Sequence, residues 1–540
     1  MGALTNYVTI TIQRNSVGIT RAGFGTLLIL TPNFVGTGSQ MTRSYVDLAS
    51  VAVDYDDTSS MEYRAASAAL SQDPAPTRIK FGKLTDKPTL KYELSAAAVR
   101  NSYTYAVDVD GAGFAAERVE FLSDSVATQE EVHYGLALAL NDVDDKNFTA
   151  TFAPITFADA TFAVEESDDT ATFTAPHGRQ TGDGPFQITA LTGGTGLTTM
   201  TDYYLIVTGA STAKFASTRA LAMAGTPEAV TLDGTAGTLA DVATTSSPYD
   251  GVVVTGSAAG DWFSLSVVNV DDLALAKTHA DPGSGYAAGL TAIRFADPDF
   301  YGVWNAFNSN VVGAAIAGWC ETNERVFILD DNETEAITEE PGGTDSAADA
   351  KTEGYDNTMY FYHHIPAECA GAAWFGACLP DDPGTETWAD KQLATITPSP
   401  LTQTHRDNLT GKNANGYEQV TSDISVTFEG KTAGGEFFDT TRFLHWFKDD
   451  ASKGIFGAKV ASRKAPMSNP GIAKIETQLR ASLARGEERT GFLSGWKVIV
   501  PDEAAISDAD RATRTLNGVR AYAKLAGAIH KVNVTITVAG

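Results

Sequence analysis

"SSMEYRAASAALSQDPAPTRIKFGK", residues 59–83, sets a helix directly before a strand. A serine cap precedes Glu62 in the first turn, alanine-rich helix formers follow, and Pro74 lies just beyond the last of them. "TRIKFGK" then reads as a strand. Upstream, "TLLILTP" is a short buried strand. Downstream, "SYTYAVDVDG" and "AERVEFLSD" form a hairpin through Gly111 and Gly113, "ATQEEVHYGLALALNDVDD" is a helix, and "NFTATFA" is another strand. Strands alternating with helices predict an α/β layer.

The texture changes at about Thr156. From there to Asp261 the chain is rich in Thr, Gly and Ala, with Arg179, Lys214 and Arg219 as its strong bases against twelve acids. "TATFTA", "PFQITAL", "DYYLIVTG" and "EAVTLDG" read as short strands between Gly and Asp turns, a small all-β insertion. Alternation resumes with "DWFSLSVVNV", the helices "GYAAGLTAIRFA" and "NSNVVGAAIAGWCETN", the strands "RVFILDD" and "TMYFYHH", and a proline-started helix in "PAECAGAAWFGACLP". Near the far end, "NPGIAKIETQLRASLARG" predicts a strong helix: Asn469 caps it, Pro470 enters its first turn and Gly486 stops it. Ile472, Ile475, Leu479 and Leu483 share one stripe, while Lys474, Arg480 and Arg485 point elsewhere.

A chain of 540 residues predicts two to four domains. A formal net charge of −28 argues against a nucleic-acid backbone as partner. Three cysteines, Cys320, Cys369 and Cys378, cannot build a disulfide framework and suggest a reducing compartment. The first residues lack a signal-peptide pattern, Asn6 breaks a myristoylation motif, and no apolar stretch is long enough to span a bilayer. A soluble protein without membrane insertion is expected. Against the overall acidity, Arg442 to Lys497 holds eleven bases and five acids. That asymmetry reports on partners.

The two ends carry the best strand patterns in the chain. In "YVTITIQ", Val8, Ile10 and Ile12 alternate with threonines; in "HKVNVTITVAG", Val532, Val534, Ile536 and Val538 alternate with Asn533, Thr535 and Thr537. Terminal strands with unpaired edges invite a partner chain.

No residue pattern in the sequence marks an active site, and none implies a cofactor. "EGKT" at Glu429–Thr432 imitates the end of a phosphate loop, but Ser425 stands where that motif needs glycine, so a turn is expected. "GAGFAA" at Gly111 lacks the third glycine of a dinucleotide turn. His363, His364 and Cys369 cluster without zinc spacing, and the cysteines fall on an Ala/Gly-rich helix where packing is the simpler role. His177 beside Asp183 suggests a sugar-binding turn, with a purely structural turn favoured. Glu165 with Glu166, and Asp168 with Asp169, read as a solvated loop. "DDNETE" at 330–335 lacks calcium-loop spacing.

"TWADKQLATITPSPLT", "VTSDISVTFEGKTAGGEFFDTTRFLHWFKDD", the helix at 469–486 and the closing "HKVNVTITVAG" together resemble contractile tail sheath proteins of bacteriophages, with relatives in pyocin-like particles and type VI secretion sheaths. "SYVDLASVAVDYDDTSSMEYRAASAALSQDPAPTRIKFGK" in the N-terminal half is similar to them too. The most specific part is "GKTAGGEFFDTTRFLHWFK"; the stretch 156–261 departs from the pattern. The expected fold class is therefore mixed α/β (α+β) and multidomain. Residues 1–22 form one strand arm, 23–155 with 262–380 an α/β domain, and 156–261 an outer all-β insertion. Residues 381–526 form a tube-facing α+β domain, and 527–540 a second strand arm.

The resemblance implies a homo-oligomer of stacked hexameric rings around a tail tube protein, bounded by baseplate and tail terminator proteins. It implies assembly in the host bacterial cytoplasm, a final place in the virion tail, and no enzymatic activity. Strand arms can add to a neighbour's sheet, where main-chain bonds give strength and alternating side chains fix register. Lys474, Arg480 and Arg485 are the candidates for facing an acidic tube. The rival readings are a tail-associated adhesin or glycan-binding or glycan-hydrolysing protein using the β insertion, and a nucleotide-driven motor, which the missing phosphate loop disfavours.

Overall fold

The computed structural model describes residues 23–84, 87–153, 160–165, 168–174, 181–182, 186–193, 195–224, 226–232, 236–241, 251–281, 285–305, 307–462, 464–488 and 491–530. Both terminal arm sequences, with Val8, Ile10 and Ile12 and with Val532, Val534, Ile536 and Val538, lie outside them, as does His177.

The central sheet is built from β1 (Leu27–Thr31), β2 (Thr42–Tyr45), β3 (Ile79–Lys83), β4 (Gly302–Asn305), β5 (Val326–Asp331), β6 (Thr358–Tyr362), β7 (Asn415–Thr421) and β8 (Ile424–Phe428). Its order is β2-β3-β1-β4-β5-β6-β7-β8. The six inner strands run parallel, and β2 and β8 close the edges antiparallel. Every residue of β1, β5 and β6 is buried, the pattern of strands covered on both faces.

Alternate residues feed two separate cores. Leu27, Ile29, Phe81, Ile328 and Phe361 face α1 (Met61–Leu70) and a helix at Ala370–Cys378. Leu28, Leu30, Val303, Phe327 and Tyr360 face helices at Tyr286–Ala296 and Asn310–Asn323. The chain leaves β1 towards β3 in one direction and later continues from β4 to β7 in the other. The β1/β4 boundary is thus a topological switch point.

α1 begins where the sequence places it: the Ser60 side chain accepts from the Tyr63 N–H, and Glu62 stands in the first turn. Glu62 is buried and receives the Thr31 hydroxyl, so it also fixes the helix to β1. The "PAEC" stretch differs from the expected continuous helix. A 3₁₀ turn at Pro366–Glu368 is divided from Ala370–Cys378 by Cys369 in the left-handed region at φ 54°.

Two smaller sheets pack on the first core. One is ordered Leu273–Asp281, Thr89–Ala96, Gly251–Gly256, Phe148–Ala153; the other is ordered Phe263–Val267, Thr104–Gly111, Phe114–Leu122. The hairpin turn uses Gly113 at φ 87°. Among the described residues, six strands between Ala160 and Asp241 close into a barrel around Phe162, Phe173, Phe186, Ile188, Leu205 and Phe215. The barrel touches the body where the Tyr204 hydroxyl donates to Tyr134 at 3.1 Å.

Two details of that region differ from the sequence reading. Gly251–Gly256, inside the stretch assigned to the insertion, returns to the body and pairs with Thr89–Ala96 and Phe148–Ala153. Within "EAVTLDG", residues 228–232 form no strand. The Val230 N–H bonds to Phe215 and the Leu232 N–H to the Asp169 side chain, so no ladder is continued.

Candidate assembly surfaces

Beyond the central sheet the chain forms a smaller unit: α2 (Phe438–Ala461), α3 (Asn469–Glu488) and a ribbon of β9 (Leu493–Ile499) with β10 (Arg520–Leu525). The apolar stripe of α3 buries Leu479 and Leu483 against Phe443, Phe492, Leu493 and Val498. Gly486 does not stop this helix, which continues to Glu488. A Cβ at Gly486 would come within 3.0 Å of Phe443 and 3.1 Å of Leu493, so close packing accounts for the glycine. Asn469 turns away from the helix it was expected to cap. Its carboxamide pairs with the Glu503 N–H at 2.8 Å and with the Asp502 side chain at 3.3 Å.

The three cations proposed from the sequence have different surroundings. Lys474 is exposed, with its ammonium 3.2 Å from the Ser462 hydroxyl. Arg480 is about half exposed, pairs with Glu476 at 2.7 Å one turn back and lies over the Trp496 ring. Arg485 bends to α2, where it pairs with Asp450, a carboxylate that also accepts from Ser482 at 2.7 Å. Asp450 and Ser482 are buried, so Arg485 neutralises an interior charge and joins the two helices.

Both ends of the described chain are held at the first turns of α2. On the N-terminal side, a Cβ on Gly23 would collide with Asp299, which pins that residue against the body. The carbonyl of Phe24 accepts from Arg442 at 3.2 Å, and the Phe24 ring packs on Tyr301, 4.8 Å between centroids. Tyr301 in turn bonds His445 at 2.9 Å; burial lowers the pKa of that imidazole. On the C-terminal side, His530 bonds the Thr387 hydroxyl at 2.8 Å and packs edge-on against Phe437, the residue preceding α2. From Phe437 to His445 is a span of roughly 12 Å along a helix.

Arg442 is the centre of this arrangement. Its fully buried guanidinium pairs with Glu386 and donates to the carbonyls of Cys378, Leu379 and Asp381 at 3.0, 2.9 and 2.7 Å. It therefore satisfies the C-terminal carbonyls of the helix at Ala370–Cys378 while also holding the Phe24 carbonyl. In the sequence Arg442 stands out only as one of the eleven bases between Arg442 and Lys497. Its setting between Phe438 and Phe443, on the buried side of an amphipathic helix, was the available signal.

Beside these roots the β9–β10 ribbon is open. Every residue of β10 is exposed, including Tyr522 and Leu525, and among the described residues the ribbon has two strands only. An apolar groove of about 280 Å³ runs along it, lined by Leu444, Phe447, Leu483, Ala521, Ala523 and Leu525. A strand edge next to apolar side chains is what an added strand needs.

The histidine cluster has a structural explanation. His363 is buried between Glu368, 2.9 Å from Nε2, and Ser399, 3.4 Å from Nδ1. Ser399 also bonds His364 at 3.1 Å, and burial together with His363 lowers the His364 pKa to about 4. The order Ser–His–Glu resembles a hydrolytic triad, but Ser399 is only 3% exposed and shared between two imidazoles, which denies it an acyl substrate. Glu429 and Gly430 of "EGKT" sit at φ 62° and 68°, a left-handed turn after β8. Among the described residues, no helix is long and apolar enough to cross a membrane.

No family model matches the chain, and no curated protein matches it. Among solved structures it is similar to a chain of the anti-feeding prophage (AFP) baseplate, at 14% identity and a TM-score of 0.37, over 48% of this chain and 74% of that one. It is also similar to a chain of the AFP helical sheath in its contracted state, at 12% identity and a TM-score of 0.37, over 48% and 75%. A third is the sheath complex of an extracellular contractile injection system, PVC, in its contracted state, at 12% and 0.37, over 46% and 74%.

Proposed function

We propose that this chain is the structural subunit of a contractile phage tail sheath. It polymerises as stacked hexameric rings around a tail tube, between baseplate and terminator proteins, and contracts to drive the tube through a host envelope. The observation that carries this reading is that both ends of the described residues, Phe24 and His530, lie at the first turns of α2, beside an open ribbon. In this reading the segments with Val8, Ile10 and Ile12, and with Val532, Val534, Ile536 and Val538, leave the body from there and extend sheets of other copies. The sequence resemblance to sheath proteins supports the same assignment.

In this account the body moves as a rigid unit while the linking strands hold. No nucleotide is consumed, and contraction runs downhill from a metastable assembly. Lys474 and Arg480 face the tube, with contacts weak enough to break, since exposed ion pairs contribute only about 0–1 kcal/mol each. Arg485 contributes through the third of its side chain that stays exposed. The barrel decorates the outside.

The test is expression of the full chain and of two truncations, residues 23–540 and 1–530, followed by negative-stain microscopy. Tubes or cogwheel rings from the full chain, and folded, soluble subunits from each truncation, are expected. Full-length chains that remain monomeric would overturn the proposal.

A further inference from the structure

At the carboxyl ends of β4 and β5 lies a buried cavity with about 20 Å³ of room for solvent, lined by Lys277, Trp304, Asn305, Asn308 and Asp330 among others. Trp304, Asn305 and Asn308 are 2%, 1% and 3% exposed. Yet the Trp304 Nε1–H and both polar atoms of each asparagine side chain have no protein partner. Buried polar groups are nearly always satisfied, and these five atoms belong to residues lining one cavity.

The unmet chemistry selects the ligand. An indole N–H and two carboxamide NH₂ groups need acceptors, while the two carboxamide oxygens need donors. A halide could serve only the donors and would meet the Asp330 carboxylate. A metal cation could serve only the oxygens and would meet Lys277, whose side chain is 8% exposed and whose nearest carboxylate, Asp331, is 3.7 Å away. An apolar molecule serves neither. Water both donates and accepts, and the room exceeds the roughly 10–15 Å³ that one molecule requires.

We propose that this cavity is a solvent site, holding ordered water that joins Trp304, Asn305 and Asn308 to Lys277 and Asp330. The room holds about one water, which makes at most four hydrogen bonds and so bridges a subset of these groups at a time. The cavity lies at the carboxyl ends of β4 and β5, the edge of an open α/β sheet at which ligands bind. Here the four-stranded sheet, through Tyr92 and Lys277, closes over it, so water bridges two layers where other chains hold a ligand.

The experiment is an experimental structure of the intact protein at a resolution that shows ordered solvent, together with a bromide-soaked crystal. Solvent density at hydrogen-bonding distance from at least two of the three residues, with no anomalous peak, is expected. A bromide peak would replace water with an anion and overturn the proposal. So would asparagine side chains turned to bond protein groups around a dry cavity.

Discussion

Arg442 joins Glu386 and the carbonyl of Phe24 through one buried guanidinium, tying the C-terminal unit to the segment that leads into β1. Replacing it by methionine keeps much of the volume but leaves Glu386 uncompensated, and burial already pushes the Glu386 pKa upward. Arg442→Met is expected to destabilise by about 3–5 kcal/mol. Arg442→Lys should recover only part, because an ammonium lacks the planar fork that serves the surrounding carbonyls. Chemical denaturation monitored by tryptophan fluorescence measures both; a loss under about 1 kcal/mol for Arg442→Met would contradict the role assigned to this pair.

The basic helix separates into two kinds of cation. Arg485→Glu places a second carboxylate beside buried Asp450 and is expected to lower the stability of the C-terminal unit by about 3 kcal/mol or more. Lys474→Glu with Arg480→Glu should change stability by less than about 1 kcal/mol while weakening co-assembly with an acidic tube. Melting curves and co-sedimentation distinguish the two effects. Equal melting shifts in both variants would remove the distinction.

α1 packs against the helix at Ala370–Cys378 through small residues. A Cβ at Gly376 would collide with the Ala69 carbonyl oxygen and lie 2.8 Å from the Ala69 Cα, both backbone atoms that cannot swing aside. Gly376→Ala, ordinarily helpful inside a helix, is expected to cost about 1–3 kcal/mol here. A raised melting temperature would show that the helices have room to part.

His133 is fully buried and accepts the Ala96 N–H at 2.8 Å; burial lowers its pKa from 6.5 to about 4. Below pH 6.5 the unfolded chain therefore takes a proton that the folded chain refuses until about pH 4. Stability from this group falls as the pH drops through that window, by about 3 kcal/mol in all. His364 acts in the same direction. His133→Gln retains an acceptor for Ala96 without the titration, so its stability should fall less steeply between pH 6.5 and 4. Parallel pH profiles for the two proteins would contradict the burial argument.

What could be read from the sequence was local. The Ser60 cap, the β1 and β3 runs and the Gly113 hairpin depend on near neighbours, and the structure has each of them. The partners of Gly251–Gly256 were not legible, because its valines suit any buried sheet while their ladder reaches back to Tyr92 and Thr151. The ends of α3 were misjudged for a related reason. Asn469 and Gly486 carry ordinary cap chemistry, but each answers to a distant segment, Asp502–Glu503 in one case and Phe443 in the other. For the proposed assembly surface, the strand patterns of the two ends were visible. The nearness of Phe24 and His530 to the same helix was not, because it depends on Arg442 and His530 meeting residues far away in sequence.

The central claim is that each polypeptide's ends complete sheets in other copies, and a high-resolution map of the assembled particle tests it most directly. The account predicts Val532–Val538 of one copy hydrogen-bonded as an added strand beside the β9–β10 ribbon of another, with Val8–Ile12 likewise in a foreign sheet. A map in which both ends fold back onto their own body, leaving the ribbon two-stranded, would contradict it.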